Sequence, residues 1–120
     1  VIGIEENEHA VARARNTAAA NERHLLGDVS MLLAEVLTSH PMAQTTGILD
    51  PPATGLAPRV GPLLAAARPS EILYVSCNPA TLARDLGELR STYRLESVTP
   101  LDMFPQTAEI EVLATLRVIH

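Results

Sequence analysis

Apolar and polar positions along this chain keep changing period, and each change marks the edge of a short element. Val1, Ile2 and Ile4 open as a strand-like run that ends in Glu5-Glu6. Asn7 is a favoured cap for the helix that follows, which is expected to reach about Asn21 with Ala10, Val11, Ala14 and Ala18 on one stripe of small side chains. His24-Leu25-Leu26 is a second strand broken by Gly27-Asp28, and Met31, Leu32, Ala34, Val36 and Leu37 then read as a helix. Ser39 to Thr45 reads as loop. Gly47-Ile48-Leu49 is the third strand, and a helix through Val60, Leu63, Leu64 and Ala67 follows, its start blurred by Gly61 and Pro62.

Ile72, Leu73, Tyr74 and Val75 form an almost wholly apolar run, the kind that fills a parallel strand covered on both faces. Ser76-Cys77 ends it, and a helix begins at once: Asn78 suits the cap, Pro79 the first helical position, and Leu82, Leu86 and Leu89 repeat at helical spacing to about Arg90. Tyr93 to Val98 is strand-like, Leu101 to Pro105 a loop, and Ile110 to Ile119 alternates as a last strand. The order β-α-β-α-β-α-β-α-β-β predicts an α/β fold, a mostly parallel doubly wound sheet with an antiparallel strand near one edge.

The 120 residues, 47% hydrophobic and 19% charged, are enough for one globular domain, residues 1–120. No apolar run approaches the roughly 20 residues of a membrane-spanning helix, so no membrane partner is expected. A lone cysteine forms no internal disulfide, which fits a cytoplasmic protein. The net charge of −5, with every cation an arginine and those dispersed, argues against this segment gripping phosphates unaided. Val1 is not a start methionine and Val1 to Ile4 reads as the middle of a buried strand, so the sequence is expected to be a piece of a longer protein.

Carboxylates recur after the strands. Glu5 stands where nucleotide-binding α/β units place an acid for the ribose hydroxyls, although favourable charge at a helix start explains Glu5-Glu6 equally well. Asp28 suits a helix cap or a contact to an adenine amino group. Asp50 begins Asp50-Pro51-Pro52-Ala53-Thr54-Gly55, whose two prolines cannot continue a strand and so hold the carboxylate at a fixed place. Cys77 sits in a strand-to-helix turn, where the positive end of the helix favours thiolate over thiol. A lone cysteine is more often a small buried hydrophobe. Its place at a strand's C-terminal end, where open α/β sheets bind ligands, favours a chemical role. Among the histidines, His40 has no partner at metal-ligand spacing.

Leu49-Asp50-Pro51-Pro52 with Gly55, then Tyr74-Val75-Ser76-Cys77-Asn78-Pro79 with Thr81-Leu82-Ala83-Arg84-Asp85-Leu86, then Asp102-Met103-Phe104-Pro105-Gln106-Thr107 with Glu111, resemble the three C-terminal signatures of the S-adenosylmethionine-dependent RNA uracil-C5 methyltransferases. The resemblance implies a Rossmann-like methyltransferase fold whose first strand and glycine-rich loop lie outside this sequence, leaving a gap between the strands at Val1 to Ile4 and Gly47 to Leu49. It also implies methylation of a uridine in tRNA or rRNA, with Cys77 as nucleophile, Glu111 as base, and Glu5, Asp28 and Asp50 lining the S-adenosylmethionine pocket. RNA would be held mainly by other segments, no metal is needed, and the fragment could pair with a second copy. Ala53 stands where the family usually has arginine and Glu109 where histidine is common. Glu109 and Glu111, two apart, would share a strand face and repel each other. Two other functions stay open at this point: a non-catalytic binding or assembly module on the same scaffold, and an amino methyltransferase acting on a base nitrogen, which would give Cys77 no task.

Overall fold

The computed structural model describes residues 1–103 and 105–120. Phe104, part of the third signature, lies outside the described residues. The elements run β1 (Ile2–Glu5), α1 (Glu8–Thr17), β2 (Arg23–Leu26), α2 (Val29–Thr38), a 3-10 turn (Met42–Gln44), β3 (Thr46–Leu49), α3 (Val60–Ala67), β4 (Glu71–Ser76), α4 (Pro79–Leu89), β5 (Tyr93–Leu101) and β6 (Glu111–Val118). The predicted order therefore holds throughout. The chain divides into two compact units, Val1–His40 and Pro41–His120. β1 and β3 belong to different sheets.

In the first unit β1 and β2 pair in parallel, from Ile2 opposite Arg23 to Glu5 opposite Leu26. Asn7 caps α1 by accepting from the N–H groups of His9 and Ala10, both at 3.0 Å. Val11 is the buried residue of α1, Ala14 and Ala18 are partly covered and Ala10 is exposed, so the small-residue stripe is narrower than its spacing suggests. The helix also stops at Thr17 instead of about Asn21. Alanine favours helix, but a turn wins here: Glu22 donates its N–H to the Ala19 carbonyl at 3.0 Å and accepts the Ala19 N–H on its carboxylate at 3.3 Å. That turn brings Arg23 alongside Val1, to whose carbonyl its N–H donates at 2.9 Å.

The second unit is a four-stranded sheet in the order β3-β4-β6-β5. β3 and β4 are parallel, while β6 runs antiparallel to both β4 and β5 and lies next to the edge. Alternate residues of β4 and β6, Ile72, Tyr74 and Ser76 with Val112, Ala114, Leu116 and Val118, are buried on one face. Val60 and Leu64 of α3 and Leu82 and Leu89 of α4 are buried with them. Removing apolar surface from water in this way stabilises by about 25 cal/mol per Å². The opposite face, carrying Leu73, Val75, Leu113 and Thr115, is only half covered, so β4 is less enclosed than its apolar run predicts. Pro62 falls in the first turn of α3, where its missing N–H costs no helical bond. β5 extends to Leu101, which shortens the expected loop, and β6 begins at Glu111. Glu109 therefore lies ahead of the strand and is exposed, so the alternation that would put it on the face of Glu111 does not apply.

Candidate active site

In the second unit three of the expected residues gather at one end of the sheet. Asp50 follows the last residue of β3, Cys77 follows the last residue of β4, and Glu111 is the first residue of the antiparallel β6. The β4–β6 ladder ends with Ser76 opposite Val112, so Cys77 and Glu111 are the residues that lie just beyond that last pair. Glu111 has the parity of the half-covered face, shared with Leu113 and Thr115, whereas Cys77 lies in the bend just past β4. Glu111 is partly covered and Cys77 is exposed, so the thiol is not sealed in hydrocarbon.

Local hydrogen bonds shape the turn that presents the thiol. Ser76 is buried, and its Oγ both accepts the Asn78 N–H at 3.1 Å and donates to the Asn78 carbonyl at 3.0 Å. The Asn78 side chain then caps α4, accepting from the N–H groups of Ala80 at 3.0 Å and Thr81 at 3.4 Å. The chain bends sharply between an inward serine and an outward cap, and Cys77 is turned toward solvent between them.

The Asp50 loop is braced as stiffly as its prolines suggest, by side chains that the hydrophobic pattern did not single out. Thr81 Oγ1 donates to the Ala53 carbonyl at 2.9 Å and Arg84 Nη2 to the Thr54 carbonyl at 3.0 Å. The Leu56 N–H donates to Asp85 Oδ2 at 2.8 Å. Gly55 packs into this contact with φ of 82°, where an added Cβ would lie 2.6 Å from Asp85 Oδ2, so glycine is needed both for backbone and for space. Tyr74, three residues before the cysteine, donates its hydroxyl to the same oxygen at 2.6 Å. Burial and that bond push the Tyr74 hydroxyl well above the ordinary tyrosine range. A legible signal did exist: Asp85 lies on the apolar stripe of α4, between Leu82 and Leu89.

Glu5 and Asp28 belong to the first unit and stand at the C-terminal ends of adjacent parallel strands. Glu5 accepts the Asn7 N–H on Oε1 at 2.8 Å. Asp28 caps α2 by accepting the Ser30 N–H at 2.7 Å, so the capping role expected for it is present. His40 meets the carbonyl of Val36 through Nδ1 at 2.9 Å.

The model of the tRNA (uracil-5-)-methyltransferase family matches residues 27–118 of this chain. The chain belongs to that family. Its relatives include an RNA methyltransferase of Thermosynechococcus vestitus, 42% identical over 118 residues, which cover 97% of this chain and 26% of that protein. The tRNA (uracil(54)-C(5))-methyltransferase of Pyrococcus horikoshii is 37% identical over 116 residues, covering 97% of this chain and 27% of that protein. Among solved structures, the tRNA (uracil-54, C5)-methyltransferase of Pyrococcus abyssi in complex with S-adenosyl-L-homocysteine superposes with a TM-score of 0.76 at 34% identity, over 97% of this chain and 28% of that one. This chain thus spans about a quarter of the length of the family members it matches. The fold is that of the S-adenosylmethionine-dependent methyltransferases, as expected from the sequence.

Proposed function

We propose that this chain is the cysteine-bearing part of an enzyme that transfers a methyl group from S-adenosylmethionine to C5 of a uridine in tRNA or rRNA. The observation that carries this reading is that an exposed Cys77 directly follows β4 and Glu111 opens β6 at the same end of the β4–β6 ladder. Names of the relatives support the reaction, and the S-adenosyl-L-homocysteine of the Pyrococcus abyssi enzyme supports the donor.

Uracil C5 is a poor nucleophile until electrons are pushed into the ring, and an exposed thiolate suits that task because it both adds and leaves. The Cys77 sulfur forms a bond to C6, and the C5–C6 π pair moves to make an enolate. C5 then takes the methyl group, which the donor supplies as an activated sulfonium substituent. Glu111 removes the proton left on C5; that electron pair restores the double bond and expels the Cys77 thiolate. A base inside a helix cannot reach an atom held this way, so the uridine must be flipped out or lie in a single-stranded loop.

Carboxylates suit the donor's hydroxyl and amino groups, and the side chains offered for it are Asp50 in the second unit with Glu5 and Asp28 in the first. Asp50 is exposed at the start of a braced loop, Glu5 accepts a backbone N–H on one oxygen, and the Asp28 cap already engages Oδ1. The charge of −5 favours an RNA grip made mainly by other parts of the whole protein, and the single thiol suits a reducing, cytoplasmic setting. The test is incubation of the whole protein with methyl-labelled S-adenosylmethionine and tRNA or rRNA transcripts. Label recovered as 5-methyluridine, and lost in Cys77→Ser, is the expected result. Label on a base nitrogen, or activity retained in Cys77→Ser, would mean a different methyltransferase chemistry.

A further inference from the structure

Asp85 is 1% exposed, and neither thiolate addition nor proton removal uses it. Its Oδ1 accepts from Arg84 Nε at 2.9 Å and Arg84 Nη2 at 2.7 Å. Its Oδ2 accepts from the Tyr74 hydroxyl at 2.6 Å and the Leu56 N–H at 2.8 Å. One carboxylate therefore ties together β4, α4 and the exit of the loop that Asp50 begins. Packing alone does not account for an acid here. The site is on an apolar helical stripe, and well-packed hydrophobic groups commonly replace buried ion pairs without loss of stability. A leucine, however, offers no acceptor to the Leu56 N–H, and the direction of that bond is what a carboxylate adds.

The surroundings repeat the pattern. Three residues of α4 hold three residues of the loop: Thr81 takes Ala53, Arg84 takes Thr54, and Asp85 takes Leu56. Gly55 is the point where the loop backbone closes on the carboxylate. Asp50 is thus fixed from behind by β3, whose last residue Leu49 pairs with Tyr74, and from ahead by this brace. Tyr74 completes the circuit, because it faces Leu49 across the ladder through its backbone and Asp85 through its hydroxyl.

We propose that Asp85 is a positioning residue that holds the Asp50 loop in fixed relation to the strand leading to Cys77, and thereby sets the affinity of the site for the methyl donor. The assignment rests on the proposed function, since it takes Asp50 as a donor-binding group. In Asp85→Asn the side chain keeps its shape, but one oxygen becomes an NH2 group that faces either Arg84 or the Leu56 N–H, so one arm of the brace is lost. Thr81→Val removes one bond to the loop without touching the buried carboxylate.

The test uses the whole protein, with steady-state methylation of an RNA transcript and, separately, alkylation of Cys77 by iodoacetamide without donor. Asp85→Asn is expected to raise KM for S-adenosylmethionine about tenfold, and Thr81→Val about threefold, while kcat at saturating donor stays within about threefold of wild type. Cys77 alkylation should proceed at the wild-type rate in both. Should Asp85→Asn fail to fold, Thr81→Val decides the matter. KM unchanged in the folded variants, with only the melting temperature lowered, overturns the positioning role, and so does a collapse of kcat or alkylation at unchanged KM. A wild type that binds no S-adenosylmethionine by calorimetry overturns the proposed function itself and the assignment with it, which separates the two failures.

Discussion

Two buried tyrosines allow the energetics of the brace to be weighed against an internal control. The Tyr74 hydroxyl donates to a buried carboxylate at 2.6 Å, whereas the Tyr93 hydroxyl donates to two neutral carbonyls, Pro69 at 3.0 Å and Leu64 at 3.3 Å. Both rings are nearly inaccessible, and phenylalanine fills either site without a cavity. A hydrogen bond to a charged partner contributes roughly 1.5–3 kcal/mol and one between neutral groups about 1 kcal/mol. Asp85 keeps three other donors in Tyr74→Phe, those from Leu56 and Arg84, which places that substitution near the lower bound, about 2 kcal/mol. The Leu64 carbonyl also accepts the Arg68 N–H at 2.9 Å, so Tyr93→Phe deprives chiefly Pro69 and should cost about 1 kcal/mol. At roughly 4 °C per kcal/mol for a chain of this size, the melting temperature should fall by about 8 °C and about 4 °C respectively. Calorimetric scans of the two variants under identical conditions read the difference. Equal losses, or a larger loss for Tyr93→Phe, would show that the carboxylate gains nothing from Tyr74 and would refute the brace.

Other consequences are directly measurable. Burial pushes the Tyr93 hydroxyl from its ordinary 10.0 up to about 12, and Tyr74 moves in the same direction. The folded state then holds both phenol protons more tightly than the unfolded chain. Their contribution is complete below about pH 10 and declines as pH rises toward 12, so urea midpoints should fall across that window, less steeply in Tyr93→Phe. Asn78→Ala removes the cap of α4 and should cost about 1 kcal/mol by urea unfolding; a loss within error would mean that the turn is held by Ser76 alone. With Glu111 as the base of the proposed reaction, Glu111→Gln in the whole protein should lower turnover by about 10²–10⁴ while a methylated covalent RNA adduct accumulates, visible as a shifted band on a denaturing gel.

Much of the fold was legible because its signals are local. An apolar run followed by Asn78-Pro79 announces the β4–α4 junction, and Asp50-Pro51-Pro52 announces a strand end with a stiff turn. The end of α1 was not legible: three alanines in a row favour more helix, and only the pairing of β2 with β1 makes the turn at Ala19 to Glu22 the better arrangement. The place of Glu109 is hidden for a related reason: it lies ahead of the first residue of β6, where strand alternation no longer holds. The arrival of Cys77 and Glu111 at the same end of one ladder depends on pairing between distant segments, which periodicity does not reveal. The same holds for the partners of Asp85. Its place on an apolar stripe could be read, but its donors Tyr74 and Leu56 lie 11 and 29 residues away.

The reaction proposed for this family member depends on a covalent bond from Cys77 to the pyrimidine. Replacing the target uridine by 5-fluorouridine leaves C5 with a fluorine that no base can remove as a proton, so the thiolate cannot be expelled. With S-adenosylmethionine present, mass spectrometry of the whole protein should find the RNA-derived, methylated nucleotide on the peptide containing Cys77. No covalent species, or one that persists after Cys77→Ala, would contradict it.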